Sequence, residues 1–455
     1  MATSMQEPGA RAAAGQSEVT GNFLLAPRSH VVILAVAGSV LIFSALLHLQ
    51  AVSSSTGAWS DIHAYGIQAR TVFQHVNVYT ATDRYPYPPV WVWIIALASW
   101  LSAHLGIPFD QMAKEPAIIG DYATSVLLLL FAWRRFGWCW FTLIPMALFA
   151  LNPVVILISA GHGQFDSLVI GFVLLALYLR GERQQQRIVW AALALGVGIA
   201  LKGYPVLALP YFVISAPRGS RLLTLAAAFV PLAASTILYC ALFGISSHML
   251  SNILLYQSTP DFGWGFLLAR YTPDAFIAGL LSLASKVLIV LFGVVAPALL
   301  LRGRPIVAMI MLFSAFYALT YTMSVQYILW IVPFLCLALP LWSVVYSFAG
   351  LIAALSFYQR TGAGKGAIPT SHPWTSVASA LNMPREVGVA AIIAVSAITY
   401  IALLILATPY AAALRARVPW WRAAPVARSQ PDHAGAGYDA GNESSSGSDA
   451  ISASE

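Results

Sequence analysis

Residues 138–180 read WCWFTLIPMALFALNPVVILISAGHGQFDSLVIGFVLLALYLR, and this stretch decides the fold. Two apolar runs flank a single polar block, Gly161–Ser167. A helix needs about 20 apolar residues to cross a bilayer, and runs of this kind recur along the whole chain. The sequence therefore predicts an all-α protein, a polytopic transmembrane helical bundle.

The composition supports this class. The 455 residues are 59% hydrophobic and 9% charged, with a mean hydropathy of +0.76. This leaves no room for a large soluble catalytic domain, so any chemistry must lie on loops at one membrane face or in a cavity between helices. The net charge of +7 comes mainly from arginines in short loops. It indicates the positive-inside bias of membrane proteins, with the lipid bilayer as a partner and no nucleic acid.

Hydropathy predicts about 12 to 13 membrane segments. We place them at 31–49, 88–105, 116–133, 138–159, 165–180, 188–201, 205–216, 222–243, 273–301, 305–322, 327–341, 342–358 and 388–408.

Basic clusters predict the orientation, because they mark the cytoplasmic side. The loops that hold Asp61, the Gly161–Ser167 block and Lys202 then share the opposite, non-cytoplasmic face. We expect residues 1–29 to be a flexible cytoplasmic N-terminus. Residues 30–410 form the transmembrane domain, with 50–87 as its first non-cytoplasmic loop, and 411–455 form a basic and then disordered cytoplasmic tail. The basic clusters are Arg134 with Arg135, the loop 180–187, Arg218 with Arg221, Arg302 with Arg304, and Arg415, Arg417, Arg422 and Arg428 in the tail.

Cytoplasmic N and C termini require an even number of crossings, and thirteen segments do not satisfy this. Either one segment between 88 and 160 is re-entrant, or the break at Asn152-Pro153 divides 138–159 into a span and a short half-helix. We favour the second interpretation, because a proline ends the preceding helix.

Ionisable residues beside apolar runs are costly and often mark a site. Asp61 begins a stretch with helical periodicity, where it is either a functional acid or a simple helix cap. His162 and Asp166 are four residues apart and would share a helical face, although Asp166 could instead satisfy free backbone N–H groups. Lys202 is either a site cation or a lysine that snorkels from a helix end.

The order of short motifs resembles the GT-C superfamily of membrane glycosyltransferases over roughly residues 30–340. Within it, the chain is similar to the catalytic subunit of GPI mannosyltransferase I, to bacterial proteins grouped with GPI mannosyltransferases, and to glucosyltransferases of lipid-linked oligosaccharide assembly. The motifs are Ser60-Asp61-Ile62-His63, Tyr85-Pro86-Tyr87-Pro88-Pro89, the segment 114–121, Leu151-Asn152-Pro153, the segment 161–168, Leu201-Lys202-Gly203-Tyr204-Pro205 and the segment 325–334.

This resemblance implies an inverting transfer of a hexose, with mannose favoured, from a polyprenyl-phosphate donor to a lipid-linked or cell-envelope acceptor on the non-cytoplasmic face. Asp61 occupies the position of the general base in such enzymes. The lipid-phosphate leaving group needs cationic or N–H partners, and we expect these from Lys202, Arg84 and His162. The residues expected to bind the sugar or acceptor are Gln164, Asp166, Tyr204 and Gln326, with Tyr256 and Trp264 as an aromatic wall.

The chain departs from the superfamily pattern in its first loop. The GPI mannosyltransferase I subunit has Asp-x-Asp there, whereas this chain has Asp61-Ile62-His63. We therefore expect no metal and no other cofactor. Asp121 matches an acid of the oligosaccharide glucosyltransferases but lies in an apolar run, so we interpret it as a hydrogen-bonded interhelical acid.

Two other classes of protein fit the composition. A secondary transporter also carries isolated charges in broken helices, but it should show matched interruptions in two halves, and we find none. A non-catalytic membrane subunit would not need a loop acid and a downstream lysine on one face. We expect an integral, multi-pass protein, with a bacterial inner membrane favoured and the site facing the periplasm or exterior.

Overall fold

A computed structural model describes residues 27–55, 59–82, 85–181, 185–254, 262–269, 271, 274–361 and 384–407. The predictions for residues 1–26 and for the tail 411–455 lie outside these ranges. Within them the regular secondary structure is helical, apart from one isolated antiparallel bridge between Phe262 and Met323. The all-α prediction is therefore confirmed.

The helices follow the apolar runs closely. The α-helices are α1 Pro27–Ser53, α2 Trp59–Phe73, α3 Val78–Ala81, α4 Val90–Leu105, α5 Phe109–Met112, α6 Glu115–Phe136, α7 Leu143–Ala150, α8 Pro153–Ile156, α9 Asp166–Arg180, α10 Gln185–Leu201, α11 Leu209–Ser215, α12 Arg221–Phe243, α13 His248–Leu254, α14 Trp264–Leu268, α15 Ala275–Leu288, α16 Ala296–Leu300, α17 Pro305–Leu319, α18 Val332–Ala338, α19 Pro340–Thr361 and α20 Arg385–Ala407. Wider π turns occupy Leu157–His162 and Ile289–Val295, and tighter 3-10 turns occupy Trp140–Thr142, Tyr204–Ala208, Arg218–Ser220 and Val325–Ile331.

Seven helical stretches of the described chain are long and apolar enough to cross a membrane. Shorter apolar helices pack among them, and together they make the polytopic bundle that the hydropathy predicted. The seven are His30–Ser53, Phe109–Phe136, Trp140–His162, Arg218–Phe243, Ala275–Leu300, Pro340–Tyr358 and Arg385–Ala407; the shorter ones are Val90–Leu105, Gln186–Leu201, Tyr204–Ser215, Pro305–Leu319 and Val325–Ala338.

The break at Asn152-Pro153 is present. Helix α7 ends at Ala150, and the Asn152 side chain caps α8 by accepting a hydrogen bond from the Val154 backbone N–H at 3.0 Å. Pro153 occupies the first position of α8, where its missing N–H costs least. The π turn that follows ends at His162, so the polar block starts as the helix finishes.

Close packing fixes α9 at the centre of the bundle. A Cβ on Gly120 of α6 would lie 2.4 Å from the Leu168 backbone nitrogen, and one on Gly171 would lie 2.7 Å from Thr124 Oγ1. Such contacts leave no room for a side chain, so glycine is what lets α6 and α9 approach each other. The start of α9, which carries Asp166, is thereby held firmly against its neighbours.

Two arginines of the predicted basic clusters lie near the end of α9 that is away from the polar block. Arg134 donates to the Tyr178 carbonyl at 3.2 Å, and Arg180 donates to the Phe212 carbonyl at 2.8 Å. Arg180 ends α9 while Asp166 begins it, which separates them by about 20 Å along the helix axis. Arg134 and Arg180, which belong to two of the predicted basic clusters, therefore lie far from the polar block.

Candidate active site

Asp61 lies in the first turn of α2 and faces the polar block. Its Oδ2 accepts a hydrogen bond from His162 Nε2 at 2.8 Å and another from Gln164 Nε2 at 2.5 Å. Among the described residues no hydrogen bond reaches Oδ1. The side chain is 33% exposed. One carboxylate oxygen is thus anchored, and the other is available to a substrate.

The surroundings of Asp61 keep its carboxylate ionised. Burial raises the pKa of Asp61, but hydrogen bonds and charge from His162, the hydrogen bond from Gln164 and the charge of Lys202 together outweigh this and leave the pKa below its usual value. A carboxylate with a lowered pKa accepts a proton only while it is ionised, which is at every pH above that pKa. The group is therefore in its basic form at neutral pH.

A change at Gln164 should alter the pH dependence of turnover. In Gln164→Leu the carboxylate loses one of its two donors, so its pKa rises and the acidic limb of the rate profile moves to higher pH. Profiles of kcat/KM against pH for the wild type and the variant measure this shift. An acidic limb at an unchanged position would contradict the assignment of that limb to Asp61.

His162 connects Asp61 to Tyr358. Its Nδ1 lies 2.5 Å from the Tyr358 hydroxyl, and its Nε2 lies on the Asp61 carboxylate. Because an ionised carboxylate only accepts hydrogen bonds, His162 Nε2 carries a proton and donates to Asp61. Tyr358, near the end of α19, thus orients His162 for this contact.

Lys202 and Asp166 form the second half of the site. Lys202 Nζ lies 2.8 Å from Asp166 Oδ2 and 3.4 Å from Gln164 Oε1, so Gln164 bridges Lys202 to Asp61. The other Asp166 oxygen accepts a hydrogen bond from Trp330 Nε1 at 2.6 Å. Asp166 is fully buried and Lys202 nearly so. One continuous chain of contacts therefore runs from Tyr358 to Trp330.

Aromatic rings enclose the Lys202–Asp166 pair. Tyr204 stacks on Trp330 with ring centres 3.7 Å apart, and its hydroxyl donates to the Asp166 carbonyl at 3.3 Å. Lys202 Nζ lies 5.1 Å from the centre of Phe165 and 5.6 Å from that of Tyr327. Ring faces attract cations, and they screen this pair from water.

Gly163 allows the polar block to meet α2. Its φ of +92° lies in the left-handed region that favours glycine. A Cβ there would also come within 2.9 Å of Ile62 Cδ1. A larger residue would be strained at this φ and would displace the end of the Ile62 side chain, next to Asp61 in α2.

Several predicted residues fall elsewhere or outside the described ranges. Gln326 is buried in the turn Val325–Ile331, next to Tyr327. Trp264 is 39% exposed and donates to the Ala318 carbonyl at 2.7 Å, and no described contact joins it to the Tyr358–Trp330 chain. Arg84 and Tyr256 lie outside the described residues. The structure thus brings together Asp61, His162, Gln164, Asp166, Lys202 and Tyr204.

Sequence reasoning missed three residues. Trp330 lies in the segment 325–334, one of the motifs that carry the superfamily resemblance, and its indole N–H was a signal that could have identified it. No feature of the sequence around Tyr358 indicated a role for that residue. His48 of α1 is buried and lies 2.9 Å from Asp121 Oδ2, while Ser159 donates to Asp121 Oδ1 at 3.0 Å. The interpretation of Asp121 as a hydrogen-bonded interhelical acid is thereby confirmed. Through its contact with Ser159, Asp121 stabilises the π turn that leads to His162.

The geometry combines an ionised, partly exposed carboxylate with a neighbouring cation, at the end of a membrane helical bundle. The described residues contain no group of three or more His, Cys, Asp or Glu side chains that could hold a metal ion.

The family profile named "Glycosyltransferase family 87" matches residues 85–324, just over half of the chain. The chain belongs to glycosyltransferase family 87. A search of curated proteins found no match.

Family 87 is a membrane family of the GT-C type, so the superfamily prediction is confirmed at this level. The protein is a multi-pass integral membrane glycosyltransferase. Asp61 lies before the matched segment, and Trp330 and Tyr358 lie after it. The matched segment supplies His162, Gln164, Asp166 and Lys202, and the rest of the chain completes the site around them.

Proposed function

We propose that this glycosyltransferase transfers a hexose, with mannose favoured, from a polyprenyl-phosphate donor to a hydroxyl of a lipid-linked or cell-envelope acceptor, with inversion at the anomeric carbon. The observation that carries the proposal is the asymmetric hydrogen bonding of Asp61. Its Oδ2 accepts two hydrogen bonds, whereas its Oδ1 accepts none from the described residues. A base needs both a fixed position and a free atom for the proton.

The reaction balances with these groups alone. The acceptor oxygen attacks the anomeric carbon while Asp61 Oδ1 takes the hydroxyl proton. The bond from that carbon to the phosphate oxygen breaks, and the lipid phosphate leaves with the electron pair. Its negative charge is stabilised by nearby donors, for which Lys202, His162 and Arg84 are our candidates.

The sugar of the donor would lie between the base and the phosphate. Our candidates for binding its hydroxyls are Gln164 and Asp166, and their membership of the chain of contacts that joins Asp61 to Lys202 supports this. Tyr204 and Gln326 complete this proposed lining. Oxygen-rich ligands suit such paired acceptors and donors.

The location of the site supports an orientation in which it faces the periplasm or exterior of a bacterial inner membrane. Asp166 and Arg180 lie at opposite ends of α9, and Arg134 and Arg180 contact neighbouring helices near the Arg180 end. Basic residues favour the cytoplasmic side. The site would then lie on the non-cytoplasmic face, where lipid-linked sugars serve as donors.

The purified protein in proteoliposomes should consume one radiolabelled polyprenyl-phosphate hexose in preference to others. We expect more rapid consumption of the mannose donor than of the glucose donor, with release of polyprenyl phosphate and no requirement for a divalent cation. Equal turnover with EDTA and with added Mg²⁺ checks the last point. Uptake of a solute without any sugar transfer would instead favour a transporter.

A further inference from the structure

Two buried hydrogen-bond donors beside Asp61 have no hydrogen-bond partner in the part of the chain that the structure describes. Tyr65 is 1% exposed and Trp91 is fully buried, yet no hydrogen bond reaches Tyr65 Oη or Trp91 Nε1 among the described residues. Leaving such a group unsatisfied is destabilising, and native proteins rarely do so without a reason.

Both residues adjoin the site. Tyr65 follows Asp61 by four residues on α2, so the two side chains share one helical face. The rings of Tyr65 and Trp91 meet edge to face at 5.2 Å, and Trp91 stacks on Phe165 at 3.6 Å. Phe165 directly follows Gln164 and lies beneath Lys202. The two donors therefore lie on the α2 and α4 side of the contact chain.

Tyr65 stays protonated and able to donate. Burial raises the pKa of Tyr65 well above its usual value, and the neighbouring Tyr87, Asp61 and Asp166 side chains raise it further. Tyr87 comes close enough for this effect without the geometry of a hydrogen bond to Tyr65. The carboxylates of Asp61 and Asp166 disfavour a further negative charge close to the Tyr65 hydroxyl, so a phosphate does not suit this position.

We propose that Tyr65 Oη and Trp91 Nε1 form a subsite for hydroxyl oxygens of a neutral sugar ring beside Asp61. The subsite is incomplete in the free protein, and the sugar supplies the missing acceptors. The identity of that sugar as a substrate rests on the proposed function. The sugar belongs either to the hexose donor or to the acceptor.

Substitution of Tyr65 by phenylalanine separates this role from a structural one. The variant keeps the ring and its contact with Trp91 but removes the unsatisfied hydroxyl, so its unfolding temperature should equal or exceed that of the wild type. The KM for a sugar substrate should rise by about three- to tenfold, as expected for one lost hydrogen bond. The matched control is Tyr85→Phe, because the Tyr85 hydroxyl donates to the Pro88 carbonyl and accepts from the Val92 N–H. It should unfold at a lower temperature with an unchanged KM.

The kinetic measurements use polyprenyl-phosphate hexose as donor, octyl mannoside as acceptor probe and polyprenyl phosphate as inhibitor. A raised KM for the donor, with an unchanged inhibition constant for polyprenyl phosphate, assigns the subsite to the donor sugar. A raised KM for octyl mannoside alone assigns it to the acceptor sugar. A weakened inhibition by polyprenyl phosphate overturns the proposal, since the hydroxyl would then bind phosphate. A lower unfolding temperature of Tyr65→Phe, or unchanged KM values for both substrates, also overturns it, as a trapped structural water would explain either result.

These outcomes are independent of the base. If Asp61→Asn retained full turnover, the proposed function would lose its base, while a higher KM in Tyr65→Phe would still show a sugar subsite. If Asp61→Asn abolished turnover and Tyr65→Phe changed nothing, only the subsite would fail.

Discussion

Replacing Asp61 with asparagine is expected to lower kcat by about 10²- to 10⁴-fold, the usual contribution of a general base. Both protein hydrogen bonds to Asp61 end on Oδ2. The asparagine oxygen can take that place and keep both donors. The amide nitrogen then replaces Oδ1, so a donor stands where the proton must be accepted.

This variant tests chemistry rather than folding, because the shape and the two anchoring contacts are retained. The wild type and Asp61→Asn should unfold at similar temperatures and bind polyprenyl phosphate equally well. Asp110→Asn is the matched control, since Asp110 begins the short helix α5 and takes no part in the contact chain. Its turnover should match that of the wild type. Undiminished sugar transfer by a folded Asp61→Asn variant would remove Asp61 as the base.

Replacing Asp166 with asparagine is expected to lower the free energy of unfolding by about 3–5 kcal/mol, the largest loss among the variants considered. Lys202 is nearly buried, and its charge is balanced by Asp166 at 2.8 Å. The asparagine leaves this cation without a counter-charge in a region lined by aromatic rings. It also weakens the acceptor for the Trp330 indole N–H. Thermal and denaturant unfolding in detergent measure the effect.

The double variant Asp166→Asn/Lys202→Met sharpens the test. Removing both charges should recover part of the lost stability, because neither is then left unpaired. Asp274→Asn is the matched control: Asp274 caps α15 by accepting from the Phe276 N–H, and asparagine caps a helix about as well as aspartate, so the loss should be below about 1 kcal/mol. A double variant less stable than Asp166→Asn would show that Lys202 is stabilised by contacts other than this pair.

Much of the candidate site could be predicted because ionisable residues are few in an apolar chain. Asp61, His162, Asp166 and Lys202 were selected by this scarcity and by their position next to apolar runs, and the structure joins all four in one chain of contacts. Their assigned roles in transfer stay predictions. The expectation drawn with the superfamily resemblance put Trp264 in an aromatic wall, whereas its side chain is 39% exposed and no described contact joins it to that chain.

The sequence by itself determined the helical class, the approximate positions of the main apolar helices and the break at Asn152-Pro153. These depend on local chemistry, since the apolar length of a run and the missing proline N–H act within one segment. Only the tertiary structure decided which distant residues contact one another in the candidate site. Tyr358 is separated from His162 by 196 positions, and Trp330 from Asp166 by 164. Contacts at such separations depend on how the helices pack, and the close approach of α6 to α9 at Gly120 is part of that packing.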